Sequence, residues 1–267
     1  MLCLNKKGKV TDMNLQEGLL GYLFYNVFDK NAGDMRFLLL QIGAALLTMV
    51  IAYLLGSINS AILTSKVLFG DDVRRHGSGN AGLTNMLRTY GKRAAVFTLL
   101  GDLLKTALAI FIAGVIGGFG YVGGIAVGFT QVIPMVYLAA LFSVLGHIFP
   151  IYYKFRGGKG VLCTAVAALI LNPIEFAILI VIWILMVALT KYVSLASVTV
   201  AILYPIVVHG HFSIAFGGQE HGILALVTIL LAIIIVYCHR ENLKRISEGT
   251  ERKISIGKPP KGDGDDK

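Results

Sequence analysis

Val161 to Leu189 reads VLCTAVAALILNPIEFAILIVIWILMVAL. It is apolar almost throughout and longer than the stretch of about 20 residues that crosses a bilayer as one helix. Asn172-Pro173 stands inside it. Proline lacks a backbone donor and disfavours helix in the residue before it, so the stretch reads either as one kinked helix or as two short ones broken there. The choice decides whether the segments on its two sides lie on the same face of a membrane.

Outward from it the chain is a series of similar runs. Val193 to Val208 and Gly222 to Cys238 follow; Phe37 to Gly56, Ala94 to Gly117 and Tyr121 to Gly146 precede. Over 267 residues the chain is 56% hydrophobic and 15% charged, against about 25% charged in soluble domains. The mean hydropathy is +0.75. This composition points to an all-α polytopic membrane protein.

Positive charge orients it. Segment 57–93 carries Lys66, Arg74, Arg75, Arg88, Lys92 and Arg93, and 147–160 carries Lys154, Arg156 and Lys159. The segment after Cys238 is rich in both residue types, whereas 118–120 and 209–221 have neither. The positive-inside rule puts the basic segments in the cytoplasm. A return from inside at 160 to inside at 239 needs an even number of crossings, so 161–189 divides at Pro173. The expected fold has seven transmembrane helices, the N-terminus outside and the C-terminus cytoplasmic. Lys6, Lys7, Lys9, Lys30 and Arg36 then sit outside against the rule, offset in part by four acidic residues, Asp12, Glu17, Asp29 and Asp34. The net charge of +9 reflects cytoplasmic loops, and no nucleic-acid partner is expected. The chain divides into an N-terminal extension, 1–36, a membrane domain, 37–252, and a disordered cytoplasmic tail, 253–267. In the extension, Gly18 to Phe28 reads as a short interfacial helix.

The polar segments hold the candidate chemistry. Asp71 to Arg93, DDVRRHGSGNAGLTNMLRTYGKR, sets arginines among Gly77, Gly79 and Gly82. Glycines let backbone N–H groups approach an anion, and arginines supply forked donors that fit phosphate. Taken alone, the loop reads equally as a phosphate-handling site and as a solvated basic loop. Its G-x-G-x-x-G is no dinucleotide fingerprint, because DDVRRH precedes it where an apolar strand belongs. Ser78 and Asn80 remain as donors, with Arg88 downstream.

The second segment, from Gly146, reads GHIFPIYYKFRGGKGV. Gly160 follows Lys159 where Walker A needs Ser or Thr, and Tyr153 stands where its first glycine belongs. Gly157, Gly158, Lys159 and Gly160 still open an apolar helix and offer an anion N–H groups, a positive helix end and an ammonium. The third, HRENLKRISEGTERK from His239, reads as a helix entering the cytoplasm. His239 and Asn242 share a face, Glu241 is placed to pair with Arg245, and Gly249 suits a helix stop. A basic helix there also suits a lipid-headgroup anchor.

Asp102 and Lys105 fall inside an apolar run, where each costs about 2.5–3.5 kcal/mol at the centre of a lipid-facing helix. They are expected to be buried together as a structural pair. His209, His211 and His221 have no second class of ligand beside them, and Cys3, Cys163 and Cys238 have no metal-ligand spacing. Neither a metal nor a cofactor is expected.

Together, GSINSA at 56–61, DVRRHGSGNAGLTNMLR at 72–88, GHIFPIYYKFRGGKGV at 146–161 and HRENLKRISEGTE at 239–251 closely resemble the signature motifs of the PlsY family. These are bacterial acyl-phosphate:glycerol-3-phosphate acyltransferases. The resemblance implies seven spans in the bacterial cytoplasmic membrane, with the active site on the cytoplasmic side. It implies acyl phosphate, glycerol 3-phosphate and the lipid bilayer as partners, with lysophosphatidic acid and phosphate as products. Carried onto this chain, it gives Ser78, Asn80, Arg88, His239 and Asn242 as catalytic residues. It gives Gly77, Gly79, Asn85, Gly157, Gly158, Lys159, Gly160 and Ser197 as substrate-binding residues. The H-x-x-x-x-D pattern of many acyl-CoA-dependent acyltransferases is absent. The proton acceptor is then either the donor's own phosphate or His239. The chain departs from the family in its N-terminal extension and in Leu83, where alanine is more usual. A transporter for an organic anion is the rival reading, but transporters place their sites near the midplane, and here the polar motifs gather at one face. A third reading, a scaffold that binds anionic lipid, explains the basic charge but not three glycine-patterned loops.

Overall fold

The computed structural model describes residues 35–117, 135–215 and 222–254, together with 2–4, 10–12 and 19. Nearly all of these are helical. The helices are α1 (Met35–Gly56), α2 (Ser60–Phe69), α3 (Leu83–Gly117), α4 (Met135–Ile148), α5 (Val161–Leu171), α6 (Pro173–Thr190), α7 (Val193–Ala215), α8 (Gly222–Cys238) and α9 (Arg240–Ser247). One antiparallel ladder departs from the all-α expectation, pairing Leu2–Leu4 with Val10–Asp12 in the register Cys3↔Thr11. Apart from Leu19, the expected interfacial helix at Gly18 to Phe28 lies outside the described residues. So do His221 and the tail beyond 254.

Among the described residues, five helical stretches are long and apolar enough to cross a membrane, and α8 with α9, bent by 52°, makes a sixth candidate. The expected break at Asn172 is present. Asn172 leaves the helical region (φ −139°, ψ 63°), α5 ends before it and α6 starts on Pro173. The remaining crossing counted from the sequence rests on α5, a shorter apolar helix. With 11 residues, α5 rises only about 16 Å, roughly half of a hydrocarbon core.

Helices meet through small residues. A side chain at Gly56 would strike the Ser143 backbone of α4, and one at Gly146 would strike the Tyr53 carbonyl of α1. The two backbones therefore touch at the crossing, as membrane helices do where packing rather than water drives association. Ala52, Ala109, Ala113, Ala139, Ala140, Ala167 and Ala168 are buried in the same core. At Gly91 (φ 80°, ψ −171°) α3 turns sharply, separating a short helix at 83–90 from the membrane-length part at 92–117.

A second, smaller core anchors the first polar loop. Ala61, Ile62, Val73, Ala81, Met86 and Ala94 pack together under it. Asn59 caps α2, accepting from the Ile62 N–H at 3.0 Å. Asp72 holds the Arg74 fork at 2.9 and 2.6 Å, while the far nitrogen of Arg74 donates to the Tyr153 and Arg156 carbonyls, both at 3.0 Å. The first two motif loops are thereby joined into one surface.

Candidate active site

That surface roofs a cavity of about 710 Å³. At one end stand Ser78, Asn80, Arg88, Lys159, His239 and Asn242; at the other the walls are apolar, from α5, α6, α7 and α8. Gly77, Asn85, Gly160 and Ser197 also line it. Three motif loops far apart in sequence thus converge on one chamber.

The glycine loop is built around Asn85, which is 1% exposed. Its amide nitrogen donates to the carbonyls of Val73, His76 and Asn80 at 3.0–3.2 Å, and its oxygen accepts from the Ser78 N–H at 3.0 Å. Asn85 therefore shapes the loop from within, with all of these bonds directed at backbone. Gly77 (φ 58°) and Gly79 (φ 71°) take the left-handed conformation that the turn requires. The Gly79 N–H is held by the His76 carbonyl at 2.9 Å.

The expected reservoir of free N–H groups is accordingly smaller than the glycine count suggests. Gly157 donates to the Ile148 carbonyl at 3.0 Å and Gly158 to the His147 carbonyl at 3.1 Å. Gly79, Gly157 and Gly158 are not among the residues lining the cavity. Gly79 serves a left-handed turn, and Gly157 and Gly158 serve close approach. A side chain at Gly158 would strike the His147 ring, and one at Gly157 the His147 carbonyl. The tight turn delivers Lys159 to the chamber, where its ammonium donates to the Asn242 side-chain oxygen. Burial pushes Lys159 down to about 8, against the opposing pull of the Glu251 carboxylate.

Arg88, half-buried on the wall, has no hydrogen-bonded or ion-paired partner among the described residues. The same holds for the Ser78 hydroxyl and the Asn80 side-chain amide. His239 is 3% exposed, and its Nδ1 lies 2.8 Å from the Ile235 carbonyl. A carbonyl oxygen only accepts, so Nδ1 carries the proton, and in the neutral ring Nε2 holds a lone pair. Ser197 faces the chamber with its hydroxyl donating to the Val193 carbonyl at 2.8 Å and accepting from Trp183 at 3.3 Å.

Sequence reasoning missed Glu251. It is a carboxylate at the mouth, accepting from Asn242 at 2.7 Å, Ser194 at 2.8 Å and Arg245 at 2.7 Å. Burial raises its affinity for a proton, but these three donors hold it below the usual glutamate range. Arg245 was expected to pair with Glu241; it takes Glu251 instead, and Glu241 meets Arg240 at 3.8 Å on the exposed side. The helix stop at Gly249 (φ 70°) was the available signal, because it turns the chain back toward the chamber.

The pair Asp102–Lys105 is buried as expected, at 3.0 Å. His147 joins it, with Nδ1 3.0 Å from the Lys105 ammonium and 3.5 Å from Asp102. Lys105 also donates to the Gly56 and Ile58 carbonyls at 2.9 and 3.0 Å. Asp102, His147 and Cys163 bring potential ligand atoms within 4.8 Å of one another. The Lys105 ammonium is bonded to two of them, Asp102 and His147.

A helical membrane protein with an amphipathic chamber, cationic at one end and apolar at the other, is the class these features define. The chain belongs to the glycerol-3-phosphate acyltransferase family, which matches residues 46–249; this is the PlsY family. It is 40% identical over 215 residues to a glycerol-3-phosphate acyltransferase of Clostridioides difficile (strain 630), covering 80% of this chain and 98% of that one. It is 40% identical over 212 residues to one of Syntrophomonas wolfei, covering 79% and 97%. Among solved structures it is similar to PlsY, an integral membrane glycerol 3-phosphate acyltransferase, in its glycerol 3-phosphate form. The TM-score is 0.66 at 31% identity, covering 80% of this chain and 96% of that one. The lysophosphatidic acid form gives 0.64 at 30% identity, with the same coverage.

Proposed function

We propose that this protein transfers a fatty acyl group from acyl phosphate to the 1-hydroxyl of glycerol 3-phosphate, giving lysophosphatidic acid and inorganic phosphate. The observation that carries the reading is the unpartnered Arg88 guanidinium and the Lys159 ammonium at one end of a chamber whose remaining depth is apolar. The reaction needs both, because each substrate carries a phosphate and one carries an acyl chain. Arg88 and Lys159 hold phosphate charge. The Ser78 hydroxyl and the Asn80 amide, free to donate, face the position where negative charge develops on the carbonyl oxygen. The hydroxyl oxygen forms a bond to the acyl carbon, the bond from that carbon to the phosphate oxygen breaks, and phosphate leaves with the electron pair. The hydroxyl proton passes to the departing phosphate or to His239 Nε2. A mixed anhydride has so good a leaving group that no carboxylate–histidine pair is required, in keeping with the absent H-x-x-x-x-D.

The same reading has seven crossings of a bacterial cytoplasmic membrane, the N-terminus outside and the site on the cytoplasmic side. It divides the chain at 36 and 252. The basic residues of all three motif loops support it. The test supplies purified protein with glycerol 3-phosphate and palmitoyl phosphate, palmitoyl-CoA or palmitoyl-carrier protein in parallel. Lysophosphatidic acid is expected from the phosphate donor alone. Equal or faster turnover of the thioesters removes the donor assignment and leaves the acyltransferase. No product from any donor removes both.

A further inference from the structure

We infer that Tyr204 is the stop that sets the length of acyl chain this protein accepts, an inference that rests on the acyltransferase reading above. From α7 the cavity is lined along one stripe that starts at Val193 and ends at Tyr204. At about 1.5 Å per residue, Tyr204 lies roughly 16 Å from the start of that stripe. The helix runs on to Ala215, but the lining does not. The other three walls also end before their helices do, at Ala168 of α5, Phe176 of α6 and Leu231 of α8. These four residues close the end remote from Arg88 and Lys159.

Of the four, only Tyr204 is pinned by a hydrogen bond. Its hydroxyl donates to the Asn172 side-chain oxygen at 3.1 Å, and the Asn172 amide donates to the Tyr137 hydroxyl at 3.2 Å. All three are buried, and the chain of bonds links α7, the α5–α6 break and α4. Among apolar helices a hydroxyl that turned away from its partner would find no water to replace it. The ring is therefore fixed where leucine or phenylalanine could change rotamer. A fixed floor discriminates between chain lengths; a soft one yields. This also gives a use to Asn172, whose place at the helix break is otherwise only a cap.

The test measures kcat/KM with glycerol 3-phosphate for lauroyl, myristoyl, palmitoyl, stearoyl and arachidoyl phosphate, in the unaltered protein and in Tyr204→Ala, Tyr204→Phe and Ala168→Leu. Tyr204→Ala shifts the optimum to longer chains, raising the ratio of the next longer donor to the original optimum by about tenfold. Ala168→Leu, which thickens the floor from α5, shifts it to shorter chains. Tyr204→Phe keeps the ring and the optimum but softens the floor, so the next longer donor is rejected less sharply, and the protein melts at lower temperature. A folded Tyr204→Ala with the unaltered length profile overturns the inference and leaves the acyltransferase reading standing. If Tyr204→Ala does not fold, Ala168→Leu decides, and an unshifted profile there overturns it equally. Absence of turnover in the unaltered protein strikes the acyltransferase reading instead. The length profile is then read from thermal protection by lysophosphatidic acids of the same chain lengths, with the same shifts expected.

Discussion

Ser194 at the start of α7 donates to Glu251 at 2.8 Å, across 57 residues of sequence. The same carboxylate receives Asn242 and Arg245, so it fastens the returning chain across the chamber's mouth. Glu251→Gln keeps the shape, removes the charge and presents Arg245 or Asn242 with a donor in place of an acceptor. A loss of about 1.5–3 kcal/mol is expected, seen as a lower melting temperature in detergent together with reduced turnover. An unchanged melt would show that the fastening is not needed for the fold.

Lys159 yields a pH dependence. Burial brings its ammonium down to about 8, so the charge is present below that pH and is lost above it. KM for glycerol 3-phosphate should rise as pH passes through 8, approaching tenfold per unit, while in Lys159→Arg it stays flat because guanidinium remains charged. A KM in the unaltered protein that is constant from pH 7 to about 9.5 would remove Lys159 from phosphate binding.

Arg88→Lys retains charge and loses the planar fork. With no protein partner to replace, the substitution leaves the fold intact and lowers kcat/KM by about 10–100-fold, the worth of a charge-assisted hydrogen bond. Near-normal turnover would take Arg88 out of the site.

Asp102→Asn leaves Lys105 without its counter-charge beside His147. Breaking a buried pair costs about 3–5 kcal/mol, so the melting temperature should fall more than the chemistry changes. Asp102 also lines the chamber. Lost turnover with an unchanged melt would therefore transfer this pair from the scaffold to the site.

Orientation is open to labelling in intact cells. In a cysteine-free background, a cysteine at Ile214, which is 89% exposed, should react with an impermeant maleimide. One at Arg75 or Lys253 should not. Outside labelling of position 75 would invert the proposed topology.

The fold was legible where the signal is local. Apolar runs mark the helices, and Asn172-Pro173 marks the break, because a missing donor acts on the adjacent residues. The bounds of α5 and α6 were legible too, within a residue or so of the division of 161–189 at Pro173; how deep each lies was not, since both are apolar and packing decides it. In the site, Arg88, Lys159, His239 and Asn242 came from the family resemblance, and all four line one cavity. The bonds that consume the N–H groups of Gly79, Gly157 and Gly158 were not legible, because their acceptors are carbonyls that any residue could supply. His147 joining Asp102 and Lys105, and Glu251 displacing Glu241 as the partner of Arg245, depend on how chain ends fold back, which helical spacing does not encode.

Arg74 ties the first polar loop to carbonyls at 153 and 156, and the mouth closes only at Glu251. During synthesis the first loop is thus made long before the groups that fix it have left the ribosome. The side chains that line the chamber acquire their final positions only when nearly the whole chain has been inserted. A stalled or truncated product, ending anywhere before the last helix, would sit in the membrane as apolar helices carrying unassembled motifs. Such a fragment would hold apolar helices in the membrane with no assembled chamber between them.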